Sequence, residues 1–280
     1  MTAYLVYDVF TDTVFGGNPL AVIPDATALD GSLLQKIARE FNFSETTFVY
    51  PPEDPAHTAR VRIFTPTREV PFAGHPTIGT AIALADLGRP GDMILELGVG
   101  PVPCRAGDGA AQFRTTRPLE RLHTPEAAVV ADCLGLFTDD VRTDRVPPVV
   151  ASVGLPFVFA ELTGLEPLAR AVPRREAFLS AAARYPLPFD FAVAAYVRDG
   201  GDIRMRMFAP LDDIPEDPAT GSAAAALGAL LASEDGTAVS LDIAQGLEMG
   251  RPSRIRIEAG PEGVTVAGSA RRVMEGRLTL

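Results

Sequence analysis

The sequence predicts an α/β (α+β) protein of two similar halves, and three observations carry the prediction. The first is an internal match. His75-Pro76-Thr77-Ile78-Gly79-Thr80-Ala81 lies without a gap over Asp217-Pro218-Ala219-Thr220-Gly221-Ser222-Ala223, with Pro, Gly, a hydroxyl residue and Ala coinciding. Upstream, Phe64-Thr65-Pro66 answers Phe208-Ala209-Pro210, with a connection two residues longer in the first copy. The second is that each match opens a run of small and apolar residues. Such a helix has too few polar side chains to face water and must be buried on most sides. The third is length. The 280 residues, 47% of them hydrophobic, supply a core for each half. A repeat this long is no short-period solenoid.

The elements follow in chain order. Residues 3–10 are a strand rich in β-branched and aromatic side chains. Residues 16–19 are a Gly-Gly-Asn-Pro turn, and 20–23 a short second strand. Residues 30–41 are an amphipathic helix, with Leu33, Leu34, Ile37, Ala38 and Phe41 on one face and Gln35, Lys36, Arg39 and Glu40 opposite. A strand begins in Asn42-Phe43-Ser44-Glu45-Thr46-Thr47-Phe48-Val49. Alternation places Glu45 with Phe43 and Thr47, one apolar and one polar, so the pattern leaves its face open. Residues 60–65 alternate cleanly. The first central helix is expected from about Thr77 to Leu87, ended by Gly88 and Pro90. A meander follows at 93–97, 102–105 and 111–115.

Residues 118–126, polar and proline-bearing, are the expected boundary. The first lobe is 1–117 with a return strand at 270–280, and the second is 118–269. Strands are expected at 149–153, 156–162, 191–197 and 203–208, with a helix near 174–183 behind Pro173. The second central helix lies within 214–232. Strands at 239–243, 254–257, 264–266 and 272–280 close the chain.

Composition removes several classes of function. The net charge is −11 with no basic run, which disfavours nucleic acid and anionic membrane surfaces as partners. An anionic substrate must therefore be held by local backbone dipoles and chosen arginines. Cys104 and Cys133 are far apart, which suits a reducing cytoplasm and not a disulfide scaffold. No apolar run is long enough to span a bilayer, and no signal peptide is expected. Lys36, the only lysine, sits on the polar side of its helix and is a poor Schiff-base candidate. No phosphate loop, G-x-G-x-x-G or G-x-S-x-G stands in a strand–turn–helix context. His57, His75 and His123 have no metal-ligand spacing. Carboxylates, one histidine at a helix start, and hydroxyls remain. That set suits proton transfer, which needs a positioned acid/base more than a nucleophile. The first N–H groups of a buried helix also carry partial positive charge and can hold an anion. Taken alone, such a start reads first as a capped core helix and only second as an anion site.

The motifs together resemble the PhzF family of phenazine biosynthesis-like proteins. They are Asn42 to Phe48, Arg62-Ile63-Phe64-Thr65-Pro66, Pro71-Phe72-Ala73-Gly74-His75-Pro76-Thr77, Glu216 to Ala223, and Gln245-Gly246 with Met249-Gly250-Arg251-Pro252. The resemblance implies a diaminopimelate epimerase-like fold: two lobes, each a mixed sheet curled around a central helix, with the active site between them. It implies Glu45 as general acid/base, its pKa raised by partial burial. His75 and Asp217 are implied as the other catalytic residues, bonding an amino or hydroxyl group. Ser44, Gly74, Thr77, Gly221 and Ser222 are implied as substrate-binding residues. The reaction implied is isomerisation of a small carboxylated metabolite, as of trans-2,3-dihydro-3-hydroxyanthranilate, without cofactor or metal, in a homodimer. Epimerases and racemases of this superfamily use a pair of cysteines, which neither helix-start motif contains. The rivals are epimerisation or tautomerisation of an amino-acid-like acid, and a non-catalytic small-anion binding protein.

Overall fold

The computed structural model describes residues 1–199 and 202–280. The chain forms two compact units, residues 1–115 with 265–280, and residues 116–264.

The first unit holds β1 (Thr2–Val9), β2 (Asn18–Ile23), α1 (Gly31–Phe41), β3 (Glu45–Tyr50), β4 (Ala59–Phe64), β5 (Glu69–Val70), α2 (Gly74–Asp86), β6 (Gly91–Leu97), β7 (Gly100–Gly107) and β8 (Ala110–Thr115). The second holds β9 (Glu120–His123), α3 (Ala127–Leu134), β10 (Val149–Ser152), β11 (Pro156–Glu161), α4 (Leu165–Arg170), α5 (Arg175–Arg184), β12 (Val193–Asp199), β13 (Asp202–Ala209), β14 (Ile214–Asp217), α6 (Gly221–Asp235), β15 (Val239–Gln245) and β16 (Ser253–Gly260). The last strand, β17 (Gly263–Leu278), belongs to the first unit from Thr265 onward.

In the first unit the strands close on themselves in the order β1-β2-β3-β4-β6-β7-β8-β17. Only β2–β3 and β4–β6 are parallel. The barrel encloses α2, which is buried continuously from Gly74 to Leu84. Close approach of the helix requires a bare backbone at Gly79: a Cβ there would meet Leu20 Cδ2 at 2.5 Å and Val9 Cγ2 at 2.7 Å. α1 covers the outside, packing Leu34, Ile37 and Ala38 against Phe48 and Phe64 and leaving Lys36 exposed.

The second unit curls around α6 in the same manner. β11–β12 and β13–β15 are its parallel pairs. Apart from Ser222 and Ala229, α6 is buried from Gly221 to Leu231. A Cβ on Gly228 would collide with the Ile257 side chain. A separate apolar cluster joins α3, α4 and α5 to the outer face of β11 and β12.

Several expectations need correction. α2 starts at Gly74, three residues before the expected Thr77. Pro76 falls in the first turn, where a missing N–H costs nothing, so it does not delay the helix. The 118–126 stretch contains β9, an antiparallel partner of β10. α3 and α4 were not foreseen; at eight and six residues they are too short for a clear period. The strands expected at 264–266 and 272–280 are one strand, β17, with its register against β1 shifted between Val6 and Tyr7.

The internal repeat is also shifted. β3 pairs Thr46 with Phe64, and β12 pairs Val193 with Phe208, so Arg62 corresponds to Arg206 and Glu45 to Ala192. Ile63 pairs with Val70, and Met207 with Asp217. The helices start at Gly74 and Gly221. Asp217 therefore corresponds to Val70, and the counterpart of His75 is Ser222. The gapless match of His75 on Asp217 fails because the connection after Pro66 is shorter than the one after Pro210, not longer. Prolines and glycines coincide in that match by composition, without sharing a structural position.

Candidate active site

In the first unit, Thr80 Oγ1 of α2 donates to Thr47 Oγ1 at 3.0 Å, which places Thr47 on the barrel's inner face. Strand alternation then puts Glu45 on that face too, at the strand start. This settles the open question of its orientation. The sequence pattern missed it because β3 is buried on both faces, with Thr46 and Thr47 both at zero exposure.

Glu45 meets the start of α2, where its Oε2 lies 3.2 Å from His75 Nδ1. Both side chains are largely buried, His75 the more so. Burial pushes the imidazole down to about 3, and a hydrogen bond to the Pro19 carbonyl only partly opposes this. His75 is thus a neutral ring at physiological pH, with Nε2 buried and without a hydrogen-bond partner. Ser44 is beside Glu45, and its hydroxyl donates to Asn18 Oδ1 at 3.3 Å. Thr77 Oγ1 turns back onto the Ala73 carbonyl at 2.7 Å, so its proton is used within the helix. Gly74 is the first residue of α2, and Ala73 before it supplies no side-chain cap. The structure thus brings Ser44, Glu45, Gly74 and His75 to one end of the first barrel, with Thr77 one turn further along α2.

In the second unit, Asp217 ends β14 and is buried. Thr220 stands at the N-cap of α6, but its hydroxyl donates to Asp217 Oδ2 and does not cap the helix. Gly221 and Ser222 are the first two helical residues, Ser222 being partly exposed. The loop from Asp217 to Thr220 is held from below. Gln245 Nε2 donates to the Asp217 carbonyl at 2.7 Å and to Thr220 Oγ1 at 3.1 Å. Its Oε1 accepts from Thr220 N–H at 3.1 Å. Gly246, at φ +75°, lies so close that a Cβ would sit 2.6 Å from the Pro218 carbonyl oxygen. Ser253 Oγ donates to that same carbonyl at 2.8 Å. The Gln-Gly motif thus shapes this loop, a role no sequence spacing indicates. No side chain caps either central helix, which leaves first-turn N–H groups turned toward whatever binds there.

The remaining polar candidates are structural. His57 Nδ1 pairs with Glu96 at 2.8 Å. Glu96 also accepts from the N–H groups of Glu53 and Asp54, which hold its carboxyl down to about 2. Burial pushes the Cys104 and Cys133 thiols up to about 12, so neither is a ready nucleophile. Among the described residues no cluster of His, Cys, Asp or Glu could hold a metal ion. No helix among them is long and apolar enough to cross a membrane.

Comparison with known proteins places the whole chain in one family. The family model described as phenazine biosynthesis-like protein (PhzC-PhzF) matches residues 7–276. An uncharacterized isomerase of Mesorhizobium japonicum is 42% identical, covering 98% of each chain. The trans-2,3-dihydro-3-hydroxyanthranilate isomerase of Pseudomonas aeruginosa is 37% identical over the full length of both chains. The crystal structure of a Bacillus anthracis phenazine biosynthesis protein of the PhzF family superimposes with a TM-score of 0.88, at 26% identity, covering 100% of this chain and 99% of that one. This chain belongs to the phenazine biosynthesis-like, or PhzF, family, and it is an isomerase.

Proposed function

We propose that the chain moves a proton on a small carboxylated substrate of the trans-2,3-dihydro-3-hydroxyanthranilate kind, with Glu45 as general acid and base. The observation that carries this reading is the Glu45–His75 pair, 3.2 Å apart, at an uncapped helix start. An isomerisation removes a proton at one position and adds one at another, so one carboxyl group that accepts a proton, exchanges it with solvent and then donates one is sufficient. An imidazolium at this distance would hold Glu45 as a carboxylate by charge. The neutral ring exerts no such hold on the Glu45 carboxyl. His75 contributes hydrogen bonding and shape to the site, not charge.

The substrate carboxylate, in this reading, is bound by first-turn N–H groups against an overall charge of −11. Ser44, Gly74, Thr77, Gly221 and Ser222 contribute to binding. Asp217 acts on the same substrate as a third catalytic group, bonding its amino or hydroxyl function. The relative named as a trans-2,3-dihydro-3-hydroxyanthranilate isomerase supports the substrate class.

Steady-state kinetics with trans-2,3-dihydro-3-hydroxyanthranilate test the reading. Glu45→Gln keeps the size of the side chain and removes the acid/base. It should lower kcat by about 10³-fold, within the range for a lost general acid/base, while the substrate still binds. Wild-type turnover by Glu45→Gln would overturn the mechanism.

A further inference from the structure

The two units provide an internal control for the loop that carries Asp217. β4 pairs Ala59 with Leu95, and β13 pairs Ile203 with Ile243. Leu97 therefore corresponds to Gln245 and Gly98 to Gly246. The correspondence holds in detail, because Gly98 packs on Pro71 as Gly246 packs on Pro218. Leu97 pairs with Gly100, and Gln245 with Ser253. Four polar residues of the second unit, Asp217, Thr220, Gln245 and Ser253, thus stand where the first has Val70, Ala73, Leu97 and Gly100. The same strand–turn–helix geometry forms with no polar side chain at any of the four. The fold does not demand them, and burying polar groups is costly unless they are fully bonded.

The bonding fixes the protons of the Gln245 amide and the Thr220 hydroxyl. Thr220 N–H can only donate, so the Gln245 atom facing it is the oxygen. The Asp217 carbonyl can only accept, so the atom facing that is the amide nitrogen. With the amide orientation set by two main-chain groups, its second N–H goes to Thr220 Oγ1. Thr220 Oγ1 therefore accepts from Gln245, and its own proton points to Asp217 Oδ2. Gln245 is at zero exposure, so water does not compete for these bonds.

We propose that Gln245, acting through Thr220, is a positioning residue that fixes the orientation and the ionised form of the Asp217 carboxylate. The inference rests on the role given to Asp217 above. Neither Gln245 nor Thr220 needs to touch substrate. Their effect is to hold the Asp217 carboxylate in a constant direction through its Oδ2.

The test follows the Asp217 carboxyl by 13C NMR titration and, in parallel, kcat on trans-2,3-dihydro-3-hydroxyanthranilate. The variants are Gln245→Leu, Thr220→Val, Thr220→Ser, Asp217→Asn, and Gln245→Leu in the Asp217→Asn background. Leu97 at the corresponding position shows that leucine suits this fold, and Thr220→Val interrupts the same relay should Gln245→Leu fail to fold. Gln245→Leu and Thr220→Val are expected to move the Asp217 titration up by about one pH unit, since a hydrogen bond to the charged form is lost or loosened. Each should lower kcat by about 10- to 100-fold, as for residues that orient a catalytic group. Thr220→Ser, which keeps the hydroxyl, should restore both. Gln245→Leu should cost nothing further once Asp217 is Asn. An unmoved titration in both Gln245→Leu and Thr220→Val would overturn the proposal. A shifted titration with wild-type kcat in Asp217→Asn would uphold the positioning and remove the catalytic role given to Asp217.

Discussion

The starts of the two central helices are built on one plan and furnished in opposite ways. In the first unit the polar groups lie on the neighbouring strand and in the helix itself, as Glu45 and His75. Their counterparts in the second unit are Ala192 and Ser222. In the second unit the polar groups lie in the approach to the helix, as Asp217 and Thr220, with Gln245 beneath. Their counterparts in the first are Val70, Ala73 and Leu97. What is shared is the scaffold: glycine against proline at Gly98–Pro71 and Gly246–Pro218, and a buried, uncapped helix start. The difference separates residues that the fold requires from residues that chemistry requires.

The same contrast holds one layer further out. Arg62 and Arg206 each form a two-bonded pair with a glutamate, Glu69 and Glu216, and each guanidinium lies over the phenylalanine two residues on. Arg206 is also buried, and its Nη1 donates to the carbonyls of Leu168, Ala169 and Ala171 at the end of α4. Arg62 and Glu69 are roughly a third and two-fifths exposed. The second pair is thus a buried brace for β14 and Asp217, while the first is a surface pair.

Five expected effects break or sharpen this comparison. The largest is the loss of about 10³-fold in turnover for Glu45→Gln, because its counterpart Ala192 shows that no acid is needed there for folding. Next, Arg206→Met leaves Glu216 without its buried partner and should destabilise the chain by about 3 to 5 kcal/mol in urea unfolding. Gly246→Ala and Gly98→Ala force a Cβ into Pro218 and Pro71 backbone, and each should cost about 2 kcal/mol by the same measurement. Losses in both units, larger at Gly246 with its φ of +75°, would confirm a shared scaffold; a loss in one unit alone would break it.

His75 sets a pH dependence with a defined sign. Its ring titrates near 6.5 unfolded and at about 3 folded. Between those values the unfolded chain binds the extra proton, so stability falls as pH falls from about 6.5 toward about 3. The slope due to this residue is roughly 1.4 kcal/mol per pH unit, and His75→Ser, which installs the counterpart residue, should remove it from urea midpoints measured across pH. The smallest effect is Arg62→Met, at about 0.5 kcal/mol, as expected of a pair open to solvent.

Much of this was legible in the sequence, and what was not has physical causes. The two apolar helices, the amphipathic α1 and the alternation in β4 are local patterns, and the structure has them. The family motifs pointed to Glu45, His75 and Asp217. Alternation could not orient Glu45, because a central strand buried on both faces carries no polar side to count from. The repeat was visible but misaligned, since only sheet register shows that Val70 and Asp217 share a position. Gln245 was visible as a motif without a role. Its partners, Asp217 and Thr220, are a helix, a turn and a strand away in the chain, and no local pattern encodes that contact.

The most direct test of the central claim is turnover of trans-2,3-dihydro-3-hydroxyanthranilate in D2O by wild type and Glu45→Gln side by side, with deuterium in the product read by mass spectrometry. The account predicts rapid turnover with deuterium at the newly protonated carbon for wild type, and loss of both in Glu45→Gln. Turnover and labelling by Glu45→Gln at the wild-type rate would contradict it.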